Sequence, residues 1–115
     1  MKLAVIGSRD IHITNMEDYI PASVTEIVSG GARGIDTQAK EYAKLTGVKF
    51  TVFLPDYSRY GKAAPLKRND QIANYADEAL AFWDGHSRGT IYTIQRFQKI
   101  GKTVRIIFLS DIPNV

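Results

Sequence analysis

Val28-Ser29-Gly30-Gly31-Ala32-Arg33-Gly34-Ile35-Asp36 decides the fold of this 115-residue chain. Residues 25–28, ahead of and into it, read as a short buried strand. Ile35, Ala39, Tyr42 and Ala43 recur at helical spacing behind it. The stretch is therefore a glycine-rich turn from a strand into a helix. Gly30, Gly31 and Gly34 allow positive φ and leave room for a ligand to approach. The first N–H groups of the helix leave that turn without intrahelical partners, and the helix dipole adds partial positive charge there. Arg33 adds a full charge, so the turn suits a phosphate or a carboxylate.

The same grammar repeats on either side. Residues 3–6 form an apolar strand covered on both faces, ending in Gly7-Ser8-Arg9-Asp10. The segment after it is poor helix material: Asn15 caps one short helix at 16–20, and Pro21 stops it. That crossover covers its sheet face thinly, and an exposed apolar face would favour a homodimer. Beyond the organising turn, a helix over about 34–46 is closed by Gly47. A third strand at 49–54 alternates Phe50, Val52 and Leu54 against Thr51 and Phe53, and Pro55 ends it. A polar loop at 56–62 leads to a helix with Pro65 in its first turn and Leu66, Ile72, Ala73 and Tyr75 on its apolar side.

A fourth strand at 78–83 runs into the glycine-rich turn Asp84-Gly85-His86-Ser87-Arg88-Gly89-Thr90. The helix after it is lined by Ile91, Ile94, Phe97 and Ile100. Residues 102–109 make a fifth strand and 110–115 a tail. Strand alternating with crossover implies a parallel sheet with helices on both faces, and right-handed crossovers leave few topologies. The expectation is one domain over 1–115, a Rossmann-like doubly wound α/β sheet of five strands in the order 3-2-1-4-5. Ligands of such sheets bind outside the carboxyl ends of the strands at the switch point, where the turns at Gly7, Gly30 and Gly85 would converge.

Bulk properties narrow the classes. The 44% apolar and 23% charged fractions are those of a globular protein, and no apolar run is long enough to span a membrane. There is no signal-peptide pattern at the N-terminus, which leads to a cytoplasmic expectation. The absence of cysteine excludes disulfides, thiolate metal sites and a cysteine nucleophile. A charge of +3 and a pI near 9.2 tolerate an anionic ligand, while no dense basic run marks a nucleic-acid arm.

Arg9, Arg33 and Arg88 each fall at the carboxyl end of a different strand, an arrangement suited to bidentate phosphate binding. Each also has an aspartate nearby, Asp10, Asp36 or Asp84, with which it could simply pair. Ser8 belongs to the first turn, while Ser29, Ser87 and Thr90 offer hydroxyls either to a phosphate or to helix caps. Asp36 can stabilise the helix dipole, bind a ribose hydroxyl or orient Arg33. Tyr57 and Tyr60 can stack on a base or pack their loop down. His12 and His86 share no ligand spacing, so no metal is expected. No G-x-G-x-x-G run and no P-loop occur; neither an NAD dehydrogenase nor a kinase is indicated, and no cofactor is expected.

Taken together these motifs resemble the SLOG superfamily, a Rossmann-like group containing DprA/Smf and the LOG phosphoribohydrolases. Residues 29–36 are similar to the DprA/Smf glycine turn. Residues 55–69, ending in Arg68-Asn69, and Phe82-Trp83-Asp84-Gly85 with Ser87-Arg88-Gly89-Thr90 are similar to motifs of the small single-domain YspA-type (cpYpsA-related) branch. The resemblance implies a nucleotide-like ligand at the carboxyl edge of the sheet and adds Arg68 and Asn69 to its site. It carries catalysis less far: Thr93 stands where the LOG motif places a glutamate, and a threonine cannot replace a carboxylate general base. The first expectation is thus a nucleotide-binding sensor or carrier module. Behind it stand a LOG-like hydrolase of the N-glycosidic bond of a nucleoside monophosphate, and DprA-like single-stranded DNA binding.

Overall fold

The structure is a computed structural model and describes residues 1–9, 11–31 and 33–111. Asp10, Ala32 and residues 112–115 of the expected tail lie outside the described residues. Five strands, β1 (Lys2–Gly7), β2 (Glu26–Ser29), β3 (Lys49–Val52), β4 (Glu78–Trp83) and β5 (Val104–Phe108), form one parallel sheet. Their order is β3-β2-β1-β4-β5, the Rossmann-like topology that right-handed crossovers allow. Four helices accompany them: α1 (Ile35–Thr46), α2 (Tyr57–Tyr60), α3 (Ala64–Tyr75) and α4 (Arg88–Lys99). Among the described residues no helix is long and apolar enough to cross a membrane.

Alternation along the strands sends side chains into two cores. Leu3, Val5, Ile27, Leu80 and Phe82 meet Ile35, Ala39 and Ala43 of α1. On the opposite face Ala4, Ile6, Val28, Ala79 and Ala81 meet Ile72 and Ala73 of α3 and Ile94 and Phe97 of α4. The small strand residues on that second face let two helices lie side by side against it.

Between β1 and β2 the chain makes only a single 3-10 turn, Met16–Tyr19. The thin covering expected there is corrected by the structure. Ile13, Met16, Ile20 and Val24 are buried in the first core, and Tyr19 stands edge-on to Phe82 with ring centroids 5.4 Å apart. Gln38 of α1 holds this irregular segment in place. Its Oε1 accepts from the Ile13 N–H at 2.9 Å, and its Nε2 donates to the Ile13 carbonyl at 2.5 Å. Both backbone groups of a buried, non-helical residue are thereby satisfied.

Other boundaries move for local reasons. β3 stops at Val52 rather than 54, with only the Phe53 N–H reaching back to the Ser29 carbonyl at 2.9 Å. As an edge strand β3 leaves Val52 and Leu54 exposed, Leu54 at 67%. The stretch read as a polar loop is ordered into α2 and a 3-10 turn, Gly61–Ala63. Asp56 is the reason: its side chain accepts from the Arg59 N–H at 3.2 Å, a helix cap. Ile100 lies beyond α4 and is exposed. β5 begins at Val104 because Lys102 is drawn away to α3. Its ammonium donates to the carbonyls of Ala73, Asn74 and Ala76 at 2.7–3.0 Å, closing a helix end that has no glycine.

At the opposite rim from the carboxyl ends, Glu26 is 8% exposed and collects hydrogen bonds from Tyr75 Oη at 2.6 Å and Thr51 Oγ1 at 2.7 Å. Burial alone would raise its pKa. The Tyr75 and Thr51 hydroxyls, with Lys49 and Lys2 nearby, outweigh that and hold the carboxyl below its ordinary 4.5. A lowered folded pKa means the stabilisation is present above the unfolded value and lost as pH falls through the folded one. Glu26→Gln should therefore cost about 1.5–3 kcal/mol at neutral pH, the range for hydrogen bonds to a charged group. The deficit should shrink as the pH is taken below 4.5. Urea titrations of both proteins across that range would show it; a deficit constant with pH would contradict the assignment.

Candidate functional site

The carboxyl ends of β1, β2 and β4 enclose a cavity of about 400 Å³. The turn after β1 contributes Gly7, Ser8 and Arg9, β2 contributes Gly30 beyond its end, and α1 contributes Asp36. Ser87, Arg88, Gly89 and Thr90 form the α4 wall; Arg68 and Asn69 come from α3. Eleven of the eighteen residues expected from sequence thus line one concavity, drawn from segments as distant in the chain as Gly7 and Thr90.

Ser8 is 3% exposed and ties two of these turns together. Its N–H donates to the Phe82 carbonyl at 3.2 Å, and its Oγ accepts from the Asp84 N–H at 3.4 Å. Asp84 itself faces the turn and does not line the cavity. Its Oδ1 accepts from the Ser87 and His86 N–H groups, each at 2.8 Å, and these bonds hold its pKa below the usual carboxylate value. Trp83 Nε1 donates to the Ser87 carbonyl at 3.1 Å, fixing the same turn from below. The effect is a rigid approach to α4. Its first N–H groups lack intrahelical acceptors, and the Ser87 side chain does not cap them. Thr90, 7% exposed, lies beside them on the cavity wall.

Arg68 spans the cavity from the other side. Its Nη1 donates to the Gly30 carbonyl at 2.5 Å and its Nε to Asn69 Oδ1 at 2.7 Å. Burial pulls the guanidinium pKa down, Asp36 and Tyr57 push it up, and Arg9 adds to the burial effect. It stays charged, since an arginine does not deprotonate in a protein. Asp36 is the one carboxylate among the described lining residues.

The structure does not bring the remaining expected residues to the cavity. Ser29 is fully buried, and its Oγ accepts from the Gly31 N–H at 3.2 Å, so it shapes the turn from inside. Gly31 packs toward Val52 and Leu54. Arg33 is exposed away from the cavity, and Gly34 sits at the α1 N-cap without lining it. Tyr57 and Tyr60 belong to α2, outside the lining; Arg59 and Lys67 lie against the Tyr60 ring. Gly31 and Gly34 take the expected positive φ, 74° and 80°, but Gly7 and Gly30 do not leave room for a ligand. A Cβ on Gly7 would stand 2.6 Å from Ile35 Cγ1, and one on Gly30 would stand 2.6 Å from Arg68 Nη1. The space they leave is already filled by the protein.

Five lining residues were not expected as ligand contacts: Ile6, Pro65, Leu66, Ile72 and Thr93. Ile6 reads as a strand residue, Pro65 as the first turn of a helix, and Leu66 and Ile72 as its apolar side, yet Leu66 is 44% exposed. Thr93 Oγ1 donates to the Gly89 carbonyl at 2.9 Å, so its hydroxyl is turned to the helix backbone. The three on α3 shared one signal, spacing, since Pro65, Leu66 and Ile72 fall three or four residues from Asn69. No cluster of three or more His, Asp or Glu able to hold a metal occurs among the described residues. No protein-family model matches this chain, and no curated protein or solved structure matches it either.

Proposed function

We propose that the chain binds a phosphorylated nucleotide, or a small molecule derived from one, in the cavity at the carboxyl edge of the sheet, acting as a sensor or carrier. One observation carries the reading. Arg9, Arg68 and Arg88 border the same cavity as the uncapped start of α4, and Pro65, Leu66 and Ile72 border it on α3. Such a space suits a ligand with an anionic end and an apolar end, and its volume lies in the usual range for small-molecule sites. The SLOG resemblance implies the same ligand class.

Hydrolysis of a glycosidic bond is the second reading, favoured by one feature, the Asp36 carboxylate on the cavity wall. Against it, Asp36 lies within electrostatic reach of the Arg68 guanidinium, which suits an ion partner of that cation better than a general acid.

Calorimetry with nucleoside monophosphates and their unphosphorylated nucleosides tests both. The expected result is at least about tenfold tighter binding of the phosphorylated form, as charged hydrogen bonds of 1.5–3 kcal/mol imply, with no free base released. Equal affinity for nucleoside and nucleotide would end the proposal. Free base in the reaction mixture would replace it with the hydrolase.

A further inference from the structure

The α3 wall of the cavity carries three apolar residues, Pro65, Leu66 and Ile72, and two polar ones, Arg68 and Asn69. Pro65, Leu66 and Ile72 stand four and three residues before Asn69 and three after it, so the four share a helix face. Apart from Arg68, whose guanidinium is held to Gly30 and Asn69, the charged and hydroxyl groups come from elsewhere: Ser8 and Arg9 from the β1 turn, Asp36 from α1, and Ser87, Arg88 and Thr90 from the start of α4. A ligand with a flat uncharged part and an anionic part would lay the first against α3. Asn69 would then meet the edge of that flat part.

Its orientation is not open. Arg68 Nε can only donate, and it donates to Asn69 at 2.7 Å, so the atom it meets is Oδ1. The amide nitrogen Nδ2 is left as the group Asn69 can offer, and among the described residues it makes no hydrogen bond. Nδ2 carries two donors and no acceptor. Of the other groups lining the cavity, Thr93 Oγ1 is already committed to the Gly89 carbonyl, and the Gly30 carbonyl is taken by Arg68.

Resting on the nucleotide reading, we infer that Asn69, locked as a donor by Arg68, selects ligands that present a carbonyl oxygen rather than an amino group at the edge of the ring packed on α3. An amino group there would meet a second donor and leave both without partners, which a site built around a hydrogen bond penalises.

Inosine and adenosine monophosphate share ribose and phosphate and differ along one ring edge: an oxygen at position six with a hydrogen on N1, against an amino group with a bare N1. Wild-type protein should bind the inosine form about fivefold more tightly or better, the worth of one hydrogen bond. Asn69→Asp keeps an acceptor for Arg68 Nε and replaces the Nδ2 donors with a second acceptor. Its added charge will weaken both ligands, so the readout is their affinity ratio, which should collapse or invert. Equal wild-type affinities, or a ratio unchanged in Asn69→Asp, would overturn the selection while leaving nucleotide binding intact. If neither nucleotide binds the wild-type protein, both readings fall.

Discussion

Arg68→Ala should weaken the binding of a nucleoside monophosphate by about 1.5–3 kcal/mol, roughly one to two orders of magnitude. Arg68 is half-buried on the cavity wall and remains charged, so a phosphate there meets a guanidinium poorly screened by water. The same side chain fixes its surroundings through Gly30 and Asn69. Removing it leaves a carbonyl and an amide oxygen without their donor, so a modest loss of thermal stability should accompany the loss of affinity. Arg68→Lys should recover only part of either, because a single ammonium cannot replace a fork that holds two acceptors. Arg33→Ala, on an exposed side chain away from the cavity, should change affinity little. Calorimetry on the three variants decides the matter. Parent-like affinity in Arg68→Ala would reduce that arginine to a tether for the glycine turn.

Gly7→Ala should cost about 1–3 kcal/mol of folding stability, the range for overpacking a filled core. The added methyl would lie 2.6 Å from Ile35 Cγ1 and 2.8 Å from Ile35 Cβ. Neither side can retreat. Ile35 is fully buried in the first turn of α1, and β1 is paired on both flanks, to β2 and to β4. Ile35→Ala removes the nearer atom while keeping Cβ, so the double variant should lose somewhat less than the sum of the two single changes. Urea unfolding of the four proteins measures that coupling; strict additivity would mean that the contact does not limit the packing of α1 on the sheet.

These two positions also show how far the residues alone could be read. Sheet order followed from strands alternating with crossovers, because handedness leaves so few alternatives. The convergence of the turns at Gly7, Gly30 and Gly85 on one rim followed from that order, although Gly89 rather than Gly85 lines the cavity. What did not follow was the direction of each side chain around a turn. Ser29 and Arg33 sit in the same glycine-rich run as Gly30, but one points into the core and the other to solvent. Asp84 looked like a ligand contact and is instead occupied by the N–H groups of its own turn. The apolar wall was missed for a related reason. Leu66 and Ile72 obey the periodicity of a core-facing helix, and periodicity cannot distinguish a face packed on protein from one bordering a cavity. The first crossover was misjudged because its covering residues follow no repeat, and only Gln38 reveals how Ile13 is held.

The cavity has one consequence for thermodynamics. Asp36 belongs to the helix on one side of the sheet, while Asn69 and Thr90 belong to helices on the other. A guest touching all three would join halves of the protein that are otherwise linked mainly through the strands between them. Because it would recognise only the assembled state, at a hundred times its dissociation constant it would add about 2.7 kcal/mol to the free energy of unfolding. A melting-temperature survey of cellular metabolites can therefore find the natural guest without presupposing any reaction.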